Sequence, residues 1–230
     1  MKPVDRPSPN LDSRDGVPID MLVLHYTGMP SGEAALARMC DPTAKVSAHY
    51  MIDEDGTAYA LVPEAARAWH AGVSYWAGAR DINARSIGIE LVNPGHEFGY
   101  RAFPEAQVVA LIELASSILA RHPIPAWRVL GHSDVAPMRK DDPGELFPWK
   151  RLAEEGIGLW PAPGSDPGAE AVADFLTRYG YDPEAPLEKI VTAFQRHFRA
   201  SRVDGMADAE TRAVLSGLIA LYDAKKGTRA

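Results

Sequence analysis

Residues 131–144 combine a histidine, a lysine and three aspartates in a segment that glycine and proline interrupt. Zinc accepts imidazole and carboxylate ligands, and a catalytic zinc site uses three protein ligands and leaves one position open for water. His132 and Asp142 are therefore candidate zinc ligands, and a third ligand must come from another part of the chain. The alternative is that the aspartates only form turns and that His132 is a satisfied loop histidine.

Two further candidates belong to apolar runs that read as strands. His25 lies near the end of residues 21–27, and side chains at the carboxyl end of a strand commonly line a site. Glu90 lies within residues 86–92, the most apolar of these runs. An unpaired buried carboxylate has a raised pKa, which a general acid or base near neutral pH requires. The alternative for His25 is packing in the core. The alternative for Glu90 is that it faces solvent, because side chains alternate between the two faces along a strand.

Residues 68–83 place large aromatic side chains and an amide in one predicted loop. Aromatic faces stack on sugars, and an amide can hydrogen-bond a sugar or a peptide. His70, Trp76 and Asn83 are therefore candidate substrate contacts. The alternative for Trp76 is packing in the core.

The elements that must position these residues alternate between strands and helices. An Asp-Gly turn at residues 55–56 between two β-rich runs predicts a hairpin. Apolar spacing predicts an amphipathic helix over residues 104–122. Further strands are predicted at residues 21–27, 86–92 and 128–130, and a short helix at residues 31–40. This order predicts an α/β fold, with a mixed central β-sheet flanked by helices.

Glycine and proline are frequent in residues 156–168, which predicts a linker. Three helical segments follow, at residues 169–179, 187–198 and 207–222, and Asp208 is a plausible N-cap of the last. The predicted organisation is an N-terminal arm (1–16), a catalytic domain (17–155), the linker and a small C-terminal three-helix domain (169–230). His197, on the middle segment, is expected to be packed or solvated rather than a ligand.

Composition limits the class of protein. With 46% hydrophobic and 24% charged residues, the 230-residue chain is typical of a soluble globular protein. A formal net charge of -7 argues against a general nucleic-acid or anionic-membrane binder, and no apolar run approaches the roughly 20 residues of a membrane span. Cys40 is the only cysteine, and the first 20 residues lack the apolar core of a secretory signal. These features favour a cytoplasmic location, with the periplasm or cell envelope as the alternative.

Several of these motifs occur together and in order. The segments are Leu22-Val23-Leu24-His25, Val46-Ser47-Ala48-His49-Tyr50, Ala68-Trp69-His70-Ala71-Gly72, Ser86-Ile87-Gly88-Ile89-Glu90-Leu91 and Gly131-His132-Ser133-Asp134-Val135-Ala136-Pro137, which runs on to Arg139-Lys140 and Asp142-Pro143-Gly144. In this combination the chain resembles the zinc-dependent N-acetylmuramoyl-L-alanine amidases of type 2, the AmpD and AmiD-like family. Residues 187–215 resemble, over a shorter stretch, the peptidoglycan-binding domain of type 1.

The resemblance implies an amidase type 2, or peptidoglycan-recognition-like, fold and a Zn²⁺ ion held by His25, His132 and Asp142. Glu90 would accept a proton from the attacking water, and Lys140 would stabilise the oxyanion. The implied reaction is hydrolysis of the amide between N-acetylmuramic acid, including its 1,6-anhydro form, and L-alanine of the stem peptide. Peptidoglycan or a muropeptide would be the partner, in cell-wall recycling or remodelling. The alternatives are a non-catalytic peptidoglycan recognition protein and a phage endolysin with the same chemistry.

Overall fold

The apolar run that begins at Met21 forms a strand in the middle of a mixed six-stranded sheet in the computed structural model, which describes residues 2–228. The strands are β1 (Val4–Asp5), β2 (Leu11–Ser13), β3 (Met21–Tyr26), β4 (Tyr50–Ile52), β5 (Ala58–Ala60), β6 (Ala66–Ala68), β7 (Ser86–Leu91) and β8 (Val129–Gly131). Their order in the large sheet is β1-β5-β4-β7-β3-β8, and β2 pairs with β6 in a separate two-stranded sheet. The predicted mixed α/β architecture is confirmed.

Parallel pairing dominates the centre of the large sheet. Strand β3 runs parallel to both β7 and β8, and β4 runs parallel to β7. The predicted hairpin is formed by β4 and β5, which are antiparallel. The carboxyl ends of β3, β7 and β8 therefore lie at the same edge of the sheet, where His25, Glu90 and His132 are found.

The helices are α1 (Gly32–Cys40), α2 (Ile82–Arg85), α3 (Gly95–Phe98), α4 (Glu105–Arg121), α5 (His132–Val135), α6 (Trp149–Glu154), α7 (Val172–Tyr179), α8 (Leu187–Phe198) and α9 (Ala209–Gly227). Helix α1 begins after Ser31, whose side chain accepts a hydrogen bond from the Ala34 backbone, and Asp208 caps α9 in the same way. Among residues 2–228, no helix is long and apolar enough to cross a membrane.

The two faces of the sheet are covered by different parts of the chain. Since side chains alternate along a strand, Leu22 and Leu24 face one side of β3, where they join a buried cluster with α4. Met21 and Val23 face the other side and join a cluster that contains Phe194 of α8. The predicted catalytic and helical regions therefore share a hydrophobic core.

The N-terminal region contains two strands that the sequence patterns do not predict. Strand β1 adds to the large sheet in parallel with β5, and β2 pairs antiparallel with β6. Both strands are two or three residues long with exposed side chains, so they lack the alternation that marks a strand. Arg14, which follows them, is buried and donates hydrogen bonds to the backbone carbonyls of Glu64, Ala84 and Ser86.

Candidate metal centre

Three ligand-type atoms converge at the carboxyl edge of the sheet. His25 Nδ1 lies 3.0 Å from His132 Nδ1, and each of these nitrogens lies 3.0 Å from Asp142 Oδ2. All three residues are buried. His25 comes from the end of β3, His132 is the first residue of α5, and Asp142 follows in the loop after it. The structure thus brings together the three residues that the sequence analysis selects as zinc ligands.

The hydrogen-bond chain behind His25 fixes which of its nitrogens carries the proton. Ser86 Oγ donates to the Ile82 carbonyl oxygen at 2.6 Å, so its single proton is used. His70 Nε2, 3.2 Å from Ser86 Oγ, must then be the donor to it, and His70 Nδ1 must accept from His25 Nε2 at 3.0 Å. His25 therefore carries its proton on Nε2, and the lone pair of Nδ1 points towards His132 and Asp142.

His132 has the same tautomer for a different reason. Its Nε2 atom lies 3.0 Å from the carbonyl oxygen of Ala71, which can only accept a hydrogen bond, so Nε2 carries the proton. The Nδ1 lone pairs of both histidines and a carboxylate oxygen then face one another with no proton between them. Such an arrangement is repulsive unless a cation occupies the space they enclose. The donor set, two neutral imidazoles and one carboxylate, suits a divalent metal ion, and the second nitrogens are held by outer partners as in metal sites.

The electrostatics of the cluster agree with this arrangement. Burial, reinforced by the neighbouring His132, lowers the pKa of His25 to about 4, so its imidazole is neutral at pH 7. Burial alone would raise the pKa of Asp142, and only positive charge beside it, on His132 and His25 or on a cation between the three groups, holds it far below its usual range. A neutral imidazole and an ionised carboxylate are the forms that bind a metal.

Glu90 lies beside the cluster on the neighbouring strand. It pairs in register with His25 across β3 and β7, so the two side chains extend from the same face of the sheet. Its Oε2 atom is buried without a hydrogen-bond partner among residues 2–228. Burial, and then the negative charge of Asp142, raise the pKa of Glu90 well above its usual value, while Lys140 opposes this effect. A carboxyl group with a free oxygen and a raised pKa can exchange a proton with a bound molecule.

Lys140 lies in the loop between His132 and Asp142, close enough for its charge to lower the pKa of both Glu90 and His25. Its side chain is partly exposed. A cation in this position can stabilise negative charge that develops on a substrate bound at the metal.

The three predicted substrate-binding residues occupy other positions. His70 is buried and bonded to His25, and Asn83 Oδ1 accepts hydrogen bonds from the backbone N–H groups of His70 and Ala71. Trp76 is 1% exposed and packs edge-on against Tyr179 and Tyr181. His70 and Asn83 thus support the metal cluster from behind, and Trp76 packs in the core, where it has no exposed surface for a substrate.

The outer partners of the cluster could not be recognised from residue type. Ser86 is an ordinary strand residue in the sequence, yet it orients His70. Gly88 matters by its lack of a side chain, because a Cβ atom there would lie 2.5 Å from the His70 ring. Asp134, for which turn formation was the alternative interpretation, is buried and accepts hydrogen bonds from Tyr181 and His197.

Comparison with known proteins gives similarities over most of the chain. Residues 15–145 match the N-acetylmuramoyl-L-alanine amidase family. The chain is 40% identical over 233 residues to N-acetylmuramoyl-L-alanine amidase AmiD of Escherichia coli, which covers 89% of this chain and 83% of the relative. It is 37% identical over 164 residues to 1,6-anhydro-N-acetylmuramyl-L-alanine amidase AmpD of Citrobacter freundii, which covers 64% of this chain and 86% of the relative.

The fold is similar as well. The structure of E. coli AmiD in complex with the substrate anhydro-N-acetylmuramic acid-L-Ala-D-gamma-Glu-L-Lys matches with a TM-score of 0.81 and 37% sequence identity. The match covers 93% of this chain and 98% of that chain, so it includes the helices α7–α9 as well as the sheet.

Proposed function

The chain belongs to the N-acetylmuramoyl-L-alanine amidase family, and from this premise we propose that it hydrolyses the amide between N-acetylmuramic acid and L-alanine of peptidoglycan stem peptides. The observation that carries the proposal is the convergence of His25 Nδ1, His132 Nδ1 and Asp142 Oδ2 beside the free carboxyl oxygen of Glu90. A metal site with a proton acceptor next to it is the arrangement that metal-assisted amide hydrolysis requires.

The metal in this proposal is zinc, held by His25, His132 and Asp142, since two imidazoles and one carboxylate form a common catalytic zinc set. When bound, zinc would polarise the amide carbonyl as a Lewis acid and lower the pKa of water. Glu90 accepts the proton of the attacking water and passes it to the leaving amine. Lys140 stabilises the negative charge on the former carbonyl oxygen.

The proposed substrates are soluble muropeptides, including those with 1,6-anhydro-muramic acid. AmpD of Citrobacter freundii is named for that sugar, and AmiD was crystallised with an anhydro-muramyl tripeptide. The physiological role would be cell-wall recycling in the cytoplasm, with an envelope location as the alternative that cell fractionation would detect. Residues 169–230 are proposed to be a peptidoglycan-binding-like unit, which a sedimentation assay with purified sacculi tests.

The test is a chelate-and-restore assay on an anhydro-muramyl peptide and on intact sacculi. Peptide release that a strong chelator abolishes and zinc restores is the expected result. Release from the soluble substrate with little from sacculi supports recycling, whereas efficient release from sacculi assigns the enzyme to the envelope or to a phage. No release from either substrate by the zinc-loaded protein would overturn the proposal in favour of a recognition protein.

A further inference from the structure

Two consecutive residues of α8 contact both ends of the segment that carries the metal ligands. Arg196 forms an ion pair with Asp141 at 2.8 Å, next to the ligand Asp142. His197 Nδ1 lies 2.7 Å from Asp134 Oδ2, two residues beyond the ligand His132. Helix α8 belongs to the C-terminal helices and contributes none of the three ligands.

Among residues 2–228, the side chain of Asp134 accepts three hydrogen bonds, and the C-terminal region that contains α7–α9 donates two of them. Its carboxylate is 1% exposed and accepts from the Gly131 backbone N–H at 2.7 Å, from His197 Nδ1–H and from the Tyr181 hydroxyl at 2.6 Å. Only the first donor, Gly131, lies in residues 15–145, the amidase segment that matches the family. Because a buried carboxylate without donors is costly, loss of the other two would favour a shift of α5 towards water.

Such a shift would also move the metal ligands, because α5 is short and directly connected to them. His132 is the first residue of α5, and the Ser133 backbone N–H donates to the Asp142 carbonyl oxygen at 2.8 Å. The ring of His197 also stacks on Trp149, with centroids 3.7 Å apart, which leaves little room for a different orientation of the imidazole.

We propose that α8, together with Tyr181, supports the metal loop, residues 132–142. Tyr181, Arg196 and His197 are positioning residues that hold His132 and Asp142 in the geometry that binds zinc. This role differs from attachment to the cell wall. It makes the C-terminal helices part of the catalytic apparatus, although none of their residues is among the three ligands. The inference rests on the proposed zinc centre.

The experiment measures zinc affinity of the full-length protein by competition with a chelator of known affinity, together with thermal unfolding of the metal-free form. His197→Phe retains the stacked ring and removes the donor, whereas His197→Asn keeps an N–H donor near the Nδ1 position and removes the ring. We expect His197→Phe to weaken zinc binding about tenfold, as loss of outer partners of metal ligands does, and His197→Asn to retain most of the affinity.

Milder variants keep the test decisive if the His197 variants unfold. Tyr181→Phe removes only a hydroxyl, and Arg196→Met removes the ion pair with Asp141 and a longer one with Glu145, so together they should also lower zinc affinity. Arg178→Met is the matched control, because it removes a pair with Asp223 within the same helices, outside the metal loop, and should leave affinity unchanged.

The outcomes separate this inference from the function itself. A wild-type protein that binds no zinc overturns both. Zinc binding in the wild type with equal affinity in His197→Phe and in the Tyr181–Arg196 double variant overturns the support role alone. Loss of affinity in His197→Asn with unchanged affinity in His197→Phe also overturns it, because it would show that the stacked ring, and not the hydrogen bond to Asp134, matters.

Discussion

His25 and Glu90 lie directly opposite each other on the parallel strands β3 and β7. Register partners in neighbouring strands extend to the same face, so the sheet itself sets the separation between a metal ligand and the proposed proton acceptor. No flexible loop contributes to this relationship. The position of Glu90 relative to His25 is therefore expected to be the same in the free and the substrate-bound enzyme.

Replacement of Glu90 by Gln should lower kcat by about 10²- to 10⁴-fold, because the amide keeps the shape of the side chain but cannot take a proton. Zinc content should stay near one ion per chain, since Glu90 is not among the ligands. Steady-state kinetics and metal analysis measure the two effects, and Glu97→Gln on exposed α3 is the control. Retained kcat in Glu90→Gln would remove Glu90 from the mechanism.

The raised pKa of Glu90 predicts a pH effect in the metal-free protein. Above the ordinary pKa of 4.5 the unfolded chain ionises Glu90, whereas the folded protein keeps it protonated until its higher pKa is reached. The folded state then binds more protons, so wild-type stability falls as pH rises through this window. Glu90→Gln lacks the effect, and it should be more stable than the wild type at pH 7 and nearly equal at pH 4.

Urea unfolding at both pH values, with chelator present, measures this difference. Asp142, whose charge acts on Glu90, has a pKa far below its usual range and is ionised at both pH values. Groups that do not interact with Glu90 titrate alike in the two proteins and cancel from the comparison. A stability difference that is the same at pH 4 and pH 7 would contradict the assignment of a raised pKa to Glu90.

Residue type and local setting made His25, His132 and Asp142 candidates, but they left a core histidine and turn-forming aspartates as alternatives. The resemblance to the amidase family joined the three residues into one ligand set. Strands β3 and β7 were also predictable, since their apolar runs are long, whereas the three-residue β8 was predicted from the short apolar segment next to His132. The strands β1 and β2 were not, because short exposed edge strands have no hydrophobic pattern.

The roles of His70 and Trp76 depended on contacts that sequence spacing does not encode. His70 lies against Gly88 of β7, and its hydrogen bond to Ser86 is defined only once the strand is in place. Trp76 is covered by Tyr179 and Tyr181, which lie far along the chain. The sequence does not distinguish a loop aromatic residue that binds a ligand from one that packs against a distant part of its own chain.

His70 should control zinc affinity through the tautomer of His25. His70→Leu leaves the buried Nε2–H of His25 without an acceptor and should weaken zinc binding about 10- to 100-fold. His70→Asn can place an amide oxygen near the Nδ1 position and should lose less. Chelator competition gives both affinities, and an unchanged value for His70→Leu would show that His25 is oriented by other contacts.

Lys140→Met should lower kcat by about 10²- to 10³-fold, the range for loss of one group that stabilises an oxyanion. Lys140→Arg keeps the positive charge and should retain more activity. Zinc affinity should change little in either variant, because Lys140 is not among the three ligands. Equal kcat values for Lys140→Met and the wild type would assign this role to another group.

The shared core predicts that a substitution in the C-terminal helices destabilises the amidase fold. Phe194 of α8 is 0% exposed and belongs to the same buried cluster as Val23, two residues before the ligand His25. Phe194→Ala should cost about 3–5 kcal/mol of unfolding free energy. Tryptophan fluorescence cannot separate the two regions, because Trp76 packs on Tyr179 and Trp149 stacks on His197. Native-state hydrogen exchange can, since it measures the opening of β3 and of α8 separately.

If the two regions unfold together, Phe194→Ala lowers the free energy of opening, measured by native-state hydrogen exchange, by the same amount at the backbone N–H groups of β3 and of α8. Phe98→Ala, at a side chain that is 51% exposed, is the control and should change neither free energy. Lower protection of α8 with unchanged protection of β3 would show that residues 169–228 unfold separately. In that case the amidase segment would keep its metal site without the C-terminal helices, and their contact with the loop at Asp134 would be dispensable.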